Sequence, residues 1–309
     1  MSTRSTGVDP NAHSPAYDEL AASLRSRPFN ADTTPIEDLR AGFEKFAASW
    51  ANPPAVVREP ASAGGVPGEW SRPQNSRDDA AVLYLHGGGY SIGSIPAYRD
   101  LSARIAFATD VPVLTLDYRL APENKYPAAV EDAVAAYQWL TDRVPAGRIV
   151  VAGDSAGGGL SMALTLALRD SGQTLPSGVV LISALLDLAH SGASVERNAD
   201  LDPIVTPAGS HSYAQRYLAL TDDPRTPLAS PLFGDLSGLP PLYIEVGTAE
   251  CLLDDSLRLA RRARDAGNDV ELDVWPDMFH IMPFFASRVP EAALALEHIT
   301  EFIRRRIPT

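Results

Sequence analysis

Short apolar runs alternate with helical patterns along the chain after residue 80. The runs lie at 81–85, 111–116, 148–153, 178–183, 241–246 and 270–275, and their length and composition predict buried parallel strands. Helical spacing occurs at 127–143, 155–170, 256–267 and 290–306. This alternation predicts a mostly parallel central sheet with helices on both faces. Earlier apolar runs near 55–58 and 67–71 predict two antiparallel edge strands.

Two parts of the chain depart from this alternation. Residues 1–50 are polar with helical patches at 15–26 and 35–50, and residues 187–230 are rich in loops. Additions near the carboxyl ends of parallel strands usually border the ligand crevice. We therefore expect an N-terminal cap segment at 1–50 and a catalytic domain at 51–309 with a cap insertion near 187–230.

Composition excludes several classes of protein. The chain has 309 residues, of which 45% are hydrophobic, and this is enough for one large domain. The net charge of −13 argues against a nucleic-acid partner. The only cysteine, Cys251, allows neither an internal disulfide nor a metal site built from cysteines. No secretory leader and no apolar stretch of membrane-spanning length is visible, so we expect a cytoplasmic protein without a membrane partner.

The stretch Gly153-Asp154-Ser155-Ala156-Gly157 joins a predicted strand to a predicted helix. This G-x-S-x-G pattern is typical of a nucleophilic serine on a sharp turn, where larger flanking residues would collide. The alternative is an ordinary turn that needs small residues. A serine nucleophile also requires a base, an acid that orients it, and donors for an oxyanion.

Candidates for the acid and the base follow Ser155 along the chain, in the order nucleophile, acid, base that is known for a serine on a strand-to-helix turn. His280 comes just after the last predicted strand and is the candidate base, although it could be an ordinary loop histidine. Glu250 is the first carboxylate after the strand at 241–246 and is the candidate acid. Asp254 and Asp255 are the alternatives, although acids at a helix start are also stabilised by the helix dipole.

Three successive glycines follow the first buried strand, in His86-Gly87-Gly88-Gly89-Tyr90. Glycines allow backbone N–H groups to approach a ligand closely, so Gly88 and Gly89, with the N–H of Ala156, are candidate oxyanion donors. A flexible turn is the plainer explanation, and a phosphate loop would need a following Gly-Lys-Ser/Thr that is absent. We interpret His86 as a residue that shapes this loop.

Taken together, four motifs resemble the hormone-sensitive-lipase-like family of α/β-hydrolases, also called bacterial esterase family IV. They are HGGGY (86–90), DYRLAPENKYPAA (117–129), GDSAGGG (153–159) and the Phe-His pair at 279–280. The resemblance implies an α/β-hydrolase fold with a helical cap, an esterase acting on short- or medium-chain esters, and no metal or cofactor. It implies Ser155 as nucleophile, His280 as base, Gly88, Gly89 and Ala156 as oxyanion donors, and a supporting role for the stretch 118–123.

The chain departs from the family pattern at the acid. The family commonly has Asp-Pro-Leu where this chain has Glu250-Cys251-Leu252. A glutamate can orient a histidine as an aspartate does. We therefore predict a Ser155–Glu250–His280 triad.

Other outcomes stay open from the sequence. The same groups could attack lactones, amides or carbamates, and a non-catalytic binder of small molecules is a further alternative. Aromatic side chains of the expected cap are candidates for an acyl pocket or for packing alone: Tyr17, Phe29, Tyr213 and Tyr217. The expected partner is a small-molecule ester, and both a monomer and a homodimer are compatible with the sequence.

Overall fold

A computed structural model describes residues 13–26, 31–74 and 76–307 of the chain. Its strands are β1 (Val57–Ala63), β2 (Val66–Arg72), β3 (Ala81–Leu85), β4 (Val113–Leu116), β5 (Ile149–Asp154), β6 (Gly178–Ile182), β7 (Leu242–Gly247) and β8 (Val270–Trp275). Its α-helices are α1 (Pro15–Ser26), α2 (Ile36–Trp50), α3 (Ile95–Thr109), α4 (Ala128–Thr141), α5 (Ser155–Asp170), α6 (Ser194–Arg197), α7 (Pro207–Tyr217), α8 (Leu253–Asp265) and α9 (Pro290–Arg306).

The strands form one eight-stranded sheet in the order β1-β2-β4-β3-β5-β6-β7-β8. The pairs β1–β2 and β2–β4 are antiparallel, and every other neighbouring pair is parallel. The predicted mostly parallel sheet with antiparallel edge strands is therefore confirmed. The carboxyl ends of β3, β5 and β7 lie along one edge of the sheet, where loops can meet around a ligand.

Alternate side chains of the central strands enter different cores. In β3, Val82 and Tyr84 join a core with residues of α1, α2, α3 and α9, whereas Leu83 and Leu85 join one with α4 and α5. The period of two in a strand sends successive side chains to opposite faces, so helices on both faces explain the continuous apolar runs.

Two structural details correct the sequence-based expectations. Strand β8 is only partly buried, because it forms the edge of the sheet and has one neighbouring strand. Helix α3 is absent from the elements predicted above. It begins after Ser94, whose Oγ accepts a hydrogen bond from Ala97 N, and it carries Pro96 in its first turn, where the missing N–H is harmless.

Within the described ranges, no helix combines the length and the apolar character needed to cross a bilayer. The regions expected to form a cap contribute α1 and α2 from the N-terminal part and α6 and α7 from the insertion. Residues from both regions lie beside the loops at the carboxyl edge of the sheet, where they line a cavity with Ser155.

Candidate active site

Ser155 lies at the turn between β5 and α5 in a left-handed conformation, with φ of 51°. This conformation is strained for a residue with a side chain, and such strain is common where a reactive group must be presented. The flanking glycines permit the turn because the structure is crowded there. A Cβ on Gly153 would overlap Gly157 O, and one on Gly157 would overlap Leu85 O. The chain at this turn therefore matches the geometry expected of a nucleophile elbow.

His280 and Glu250 form a buried pair beside that turn. His280 Nδ1 lies 3.1 Å from Glu250 Oε2, and both side chains are almost fully buried. The other carboxylate oxygen, Oε1, accepts hydrogen bonds from Ser183 Oγ at 2.8 Å and from Gly247 N at 2.6 Å. Ser183 Oγ in turn accepts a hydrogen bond from Ile281 N at 2.9 Å. The carboxylate is thus held on both oxygens and faces the imidazole directly.

The two alternative acids point elsewhere. Asp254 accepts a hydrogen bond from Ser194 N at 3.0 Å, and Asp255 accepts hydrogen bonds from Leu186 N and Asp187 N at 2.9 and 3.0 Å. Burial raises the pKa of Asp255 to about 8. Among these three carboxylates, only that of Glu250 is hydrogen-bonded to His280.

The surroundings of His280 favour its protonated form. Burial lowers the pKa of the imidazole, but the hydrogen bond and the charge of Glu250 oppose this effect. The charges of Asp202 and Asp154 act in the same direction, and the net result is a pKa above the ordinary value. An imidazolium formed transiently at this position is therefore stabilised by its neighbours.

The glycine loop after β3 approaches the serine turn from the side. Gly88 and Gly89 have φ values of 111° and 59°, which favour glycine, and both line the same cavity as Ser155 and His280. Ala156 is fully buried behind Ser155 at the start of α5, where backbone N–H groups lack partners within the helix. The three residues predicted as oxyanion donors thus lie at or next to the cavity wall.

Asp154 connects the glycine loop with the serine turn, a connection that the sequence analysis missed. Its buried carboxylate accepts hydrogen bonds from Gly87 N at 3.0 Å, from Tyr84 Oη at 2.8 Å and from Tyr98 Oη at 2.7 Å. Its backbone directly precedes Ser155. The acid of the G-x-S-x-G stretch was visible in the sequence, but its three partners are distant along the chain.

The stretch 118–123 supports the glycine loop from behind, in agreement with the expectation above. Tyr118 Oη donates a hydrogen bond to His86 O at 2.7 Å, and Ala121 N donates one to Tyr90 O at 2.8 Å. The ring of His86 stacks on that of Tyr118 with centroids 4.4 Å apart. Burial lowers the pKa of His86 to about 4, so this imidazole is neutral near pH 7 and its position fits a structural role in the loop.

A cavity of about 100 Å³ opens onto Ser155 and His280. Its lining is largely apolar and comes from both the sheet edge and the two expected cap regions: Leu24, Phe43, Phe46, Ile92, Leu185, Ile204, Val205, Tyr213, Leu252, Ile281, Phe284 and Phe285. Of the aromatic candidates, Tyr213 lines the cavity, whereas Tyr17 and Tyr217 are buried in packing away from its wall. Phe29 lies outside the described residues.

Comparisons with known proteins agree with this geometry. Residues 82–284 match the model of a family described as having the alpha/beta hydrolase fold. The chain belongs to the hormone-sensitive-lipase-like family of α/β-hydrolases. An acetyl-hydrolase of Streptomyces hygroscopicus is 41% identical over 287 residues, which cover 93% of this chain and 95% of that protein.

Other members of the family extend the similarity. An esterase of Acinetobacter venetianus is 34% identical over 284 residues, covering 92% of this chain and 93% of its own length. A solved esterase of the bacterial hormone-sensitive lipase family superposes with a TM-score of 0.90 at 43% identity, covering 96% of this chain and 99% of that one. The structure of EstE5, from a crystal soaked with p-nitrophenyl butyrate, gives a TM-score of 0.90 at 39% identity, covering 96% of this chain and 100% of that one. The present chain is therefore an esterase as well.

Proposed function

We propose that the chain is a serine carboxylesterase in which Ser155 is the nucleophile, His280 the general base and Glu250 the acid. One observation carries this proposal. Ser155 and His280 line the same cavity, and the Nδ1 atom of the imidazole is 3.1 Å from a buried carboxylate that is itself hydrogen-bonded. A nucleophile, a base and an orienting group in this relation are the elements of a catalytic triad.

The first half of the reaction forms an acyl-enzyme. With its Nδ1–H directed to Glu250, His280 offers the lone pair of Nε2 to the proton of Ser155 Oγ. The Oγ–carbon bond forms as that proton moves to Nε2, and the carbonyl oxygen becomes an oxyanion. The carbon–oxygen bond to the alcohol then breaks, and the Nε2 proton passes to the leaving alcohol. Glu250 stabilises the imidazolium that exists between these two proton transfers.

The second half repeats these steps with water as the nucleophile. His280 takes a proton from water as the water oxygen bonds to the acyl carbon. The tetrahedral intermediate then collapses: the bond between that carbon and Ser155 Oγ breaks, Oγ regains the proton from Nε2, and the carboxylic acid leaves. In both halves the N–H groups of Gly88, Gly89 and Ala156 donate to the oxyanion. The first turn of α5 adds the positive end of its helix dipole at the same place.

The size and lining of the cavity support a preference for short acyl groups. Its volume of about 100 Å³ is small beside the roughly 300–1,000 Å³ of pockets that hold drug-sized ligands, and its lining is apolar. One relative is named an acetyl-hydrolase, and a crystal of another was soaked with a butyrate ester. We infer that acetyl to butyryl esters are the preferred substrate class.

The test is hydrolysis of a p-nitrophenyl ester series from acetate to hexadecanoate. We expect activity to be highest at short chains, and Ser155→Ala to lower kcat on the order of 10⁶-fold. Glu250→Gln should lower kcat by about 10⁴-fold, because an amide no longer fixes the tautomer or balances the imidazolium. Glu297→Gln, which makes the same change on the exposed face of α9, is the matched control and should behave as the wild type.

Two results would overturn parts of the proposal. A Glu250→Gln variant with near-normal kcat would transfer the role of the acid to Asp254 or Asp255. Folded wild-type protein that hydrolyses no ester of the series would refute the simple esterase and direct the search to lactones and amides. Circular dichroism of each variant establishes that a loss of activity is not a loss of fold.

A further inference from the structure

The insertion between β6 and β7 is bound closely to the loop that carries Glu250. Asn198 Nδ2 donates hydrogen bonds to Glu250 O at 2.8 Å and to Thr248 O at 3.0 Å. Ser194 Oγ donates one to Cys251 O at 2.7 Å. These contacts fasten the backbone on both sides of the Glu250 side chain to a segment that is distant in sequence.

Asp202 is the central residue of this connection. It is only 4% exposed, and its Oδ2 accepts a hydrogen bond from Cys251 N at 3.0 Å. Its Oδ1 accepts hydrogen bonds from Ile204 N at 3.0 Å and Val205 N at 3.2 Å. One carboxylate therefore joins the residue that follows Glu250 to two residues of the cavity wall.

The hydrogen bond from the acid loop to Asp202 depends on which residue type stands at position 251. A proline at position 251, as in the common family pattern noted above, would have no N–H to donate. Cys251 supplies that N–H, and its Sγ lies 3.1 Å from Val205 O in the same contact. The Cys251 side chain is buried, so it contributes packing, while the backbone of the same residue contributes the N–H.

We propose that Asp202 is a positioning residue that holds the Glu250 loop against the acyl-pocket wall and adds a second negative charge beside the catalytic imidazole. This inference rests on the proposed triad. Asp202 is not among the residues that line the cavity, so it acts through Glu250 and His280. The Asp202 carboxylate would couple the position of the acid loop to that of the cavity wall. A displacement of Ile204 or Val205 would move this carboxylate, which is also hydrogen-bonded to Cys251.

The charge of Asp202 reaches His280 together with those of Glu250 and Asp154. Burial raises the pKa of Asp202 to about 6, against the lowering influence of His280. Above this pH Asp202 is ionised, and its charge favours the imidazolium form of His280. Removing the Asp202 charge should lower the pKa of His280 and move the acid limb of activity to lower pH.

The experiment compares Asp202→Asn, Asp202→Glu and the control Asp200→Asn. Asp200 is two residues away and exposed, so its variant makes the same charge change without the buried contacts. For each protein, kcat and KM for p-nitrophenyl acetate are measured from pH 5 to 9, and the pKa of His280 is followed by NMR of ¹⁵N-labelled histidine. Thermal unfolding of each variant records stability separately.

We expect Asp202→Asn to lower the pKa of His280 by about half a unit or more. Its kcat should also fall by about tenfold, as for a small misplacement of a catalytic group. Asp202→Glu keeps the charge but displaces the oxygens, so it should lose kcat with little change in the pKa of His280. Asp200→Asn should leave both quantities as in the wild type.

The outcomes separate this inference from the proposed function. An unchanged pKa of His280 in Asp202→Asn, with only a lower melting temperature, would overturn the inference and leave a purely structural turn residue. If Asp202→Asn does not fold, an Asp202→Glu variant with wild-type kcat would overturn it as well. A wild type that is inactive toward esters would refute the esterase itself, whereas the NMR titration would still decide whether Asp202 acts on His280.

Discussion

The two sides of the proposed active site are built in different ways. On the nucleophile side, Ser155 and the glycine loop follow directly from the buried strands β5 and β3, and Asp154 and Tyr118 bind them to one another and to the sheet. On the acid side, Glu250 depends on a long insertion that packs over its loop through Asn198 and Asp202. Both sides begin at the ends of buried, paired strands, but the acid loop, which follows β7, also depends on contacts from the insertion that covers it.

The comparison predicts that a small change on the nucleophile side has the largest effect on activity. In Gly157→Ala, the added Cβ would overlap the backbone oxygens of Leu85 and His86, so the start of α5 or the glycine loop must shift. Because a shift of about 1 Å can cost about 100-fold in rate, kcat/KM for p-nitrophenyl acetate should fall by roughly that factor or more. In the control Gly147→Ala, nothing lies within 4 Å of the new Cβ, and kcat/KM should not change.

A second change weakens the support behind the glycine loop without adding any atom. Tyr118→Phe removes the hydrogen bond to His86 O and leaves that buried carbonyl without this donor, which should lower stability by about 1–3 kcal/mol. Tyr137→Phe removes a comparable hydrogen bond, to Thr174 O, remote from the cavity. We expect chemical denaturation to show similar losses of stability, and a severalfold fall in kcat only for Tyr118→Phe. Equal kcat values would argue against a role of Tyr118 in the loop.

The smallest effect is expected at the cavity wall on the acid side. Ile204→Ala enlarges the cavity, so longer acyl chains should gain relative to acetate. Each further methylene that is buried contributes about 0.8 kcal/mol, which corresponds to about fourfold in kcat/KM. Rates with the ester series measure this ratio, and Leu175→Ala, a truncation at a partly buried residue packed away from the cavity, should not alter it. A chain-length profile identical to that of the wild type would show that Ile204 does not limit the acyl group.

The same contrast explains how much could be predicted from the sequence. The glycines around Ser155 and at positions 87–89 stand in short contiguous patterns, so a short stretch of sequence reveals them, although atoms that crowd them, such as Leu85 O beside Gly157, come from elsewhere in the chain. The parallel strands were predicted because burial on both faces makes them continuously apolar. The prediction that β8 is a buried strand was wrong, because a sequence does not say which strand lies at the sheet edge.

Contacts between distant residues account for most of what the sequence did not reveal. Asp202 resembles any polar residue of a loop until Cys251 N is seen to donate to it, and Asp154 shows its purpose only beside Tyr84 and Tyr98. Helix α3 was not predicted because small and polar residues interrupt its apolar spacing and because a proline stands in its first turn. Each of these features depends on which elements the fold brings together.

The most direct test of the central claim is covalent trapping of the nucleophile. Wild-type protein is treated with paraoxon, which phosphorylates activated serines, and the modified peptide is identified by mass spectrometry. We predict one diethylphosphoryl group on Ser155, loss of ester hydrolysis in proportion to labelling, and no labelling of the Ser155→Ala protein. Labelling of another residue, or full ester hydrolysis by protein in which Ser155 is completely modified, would contradict the proposed triad.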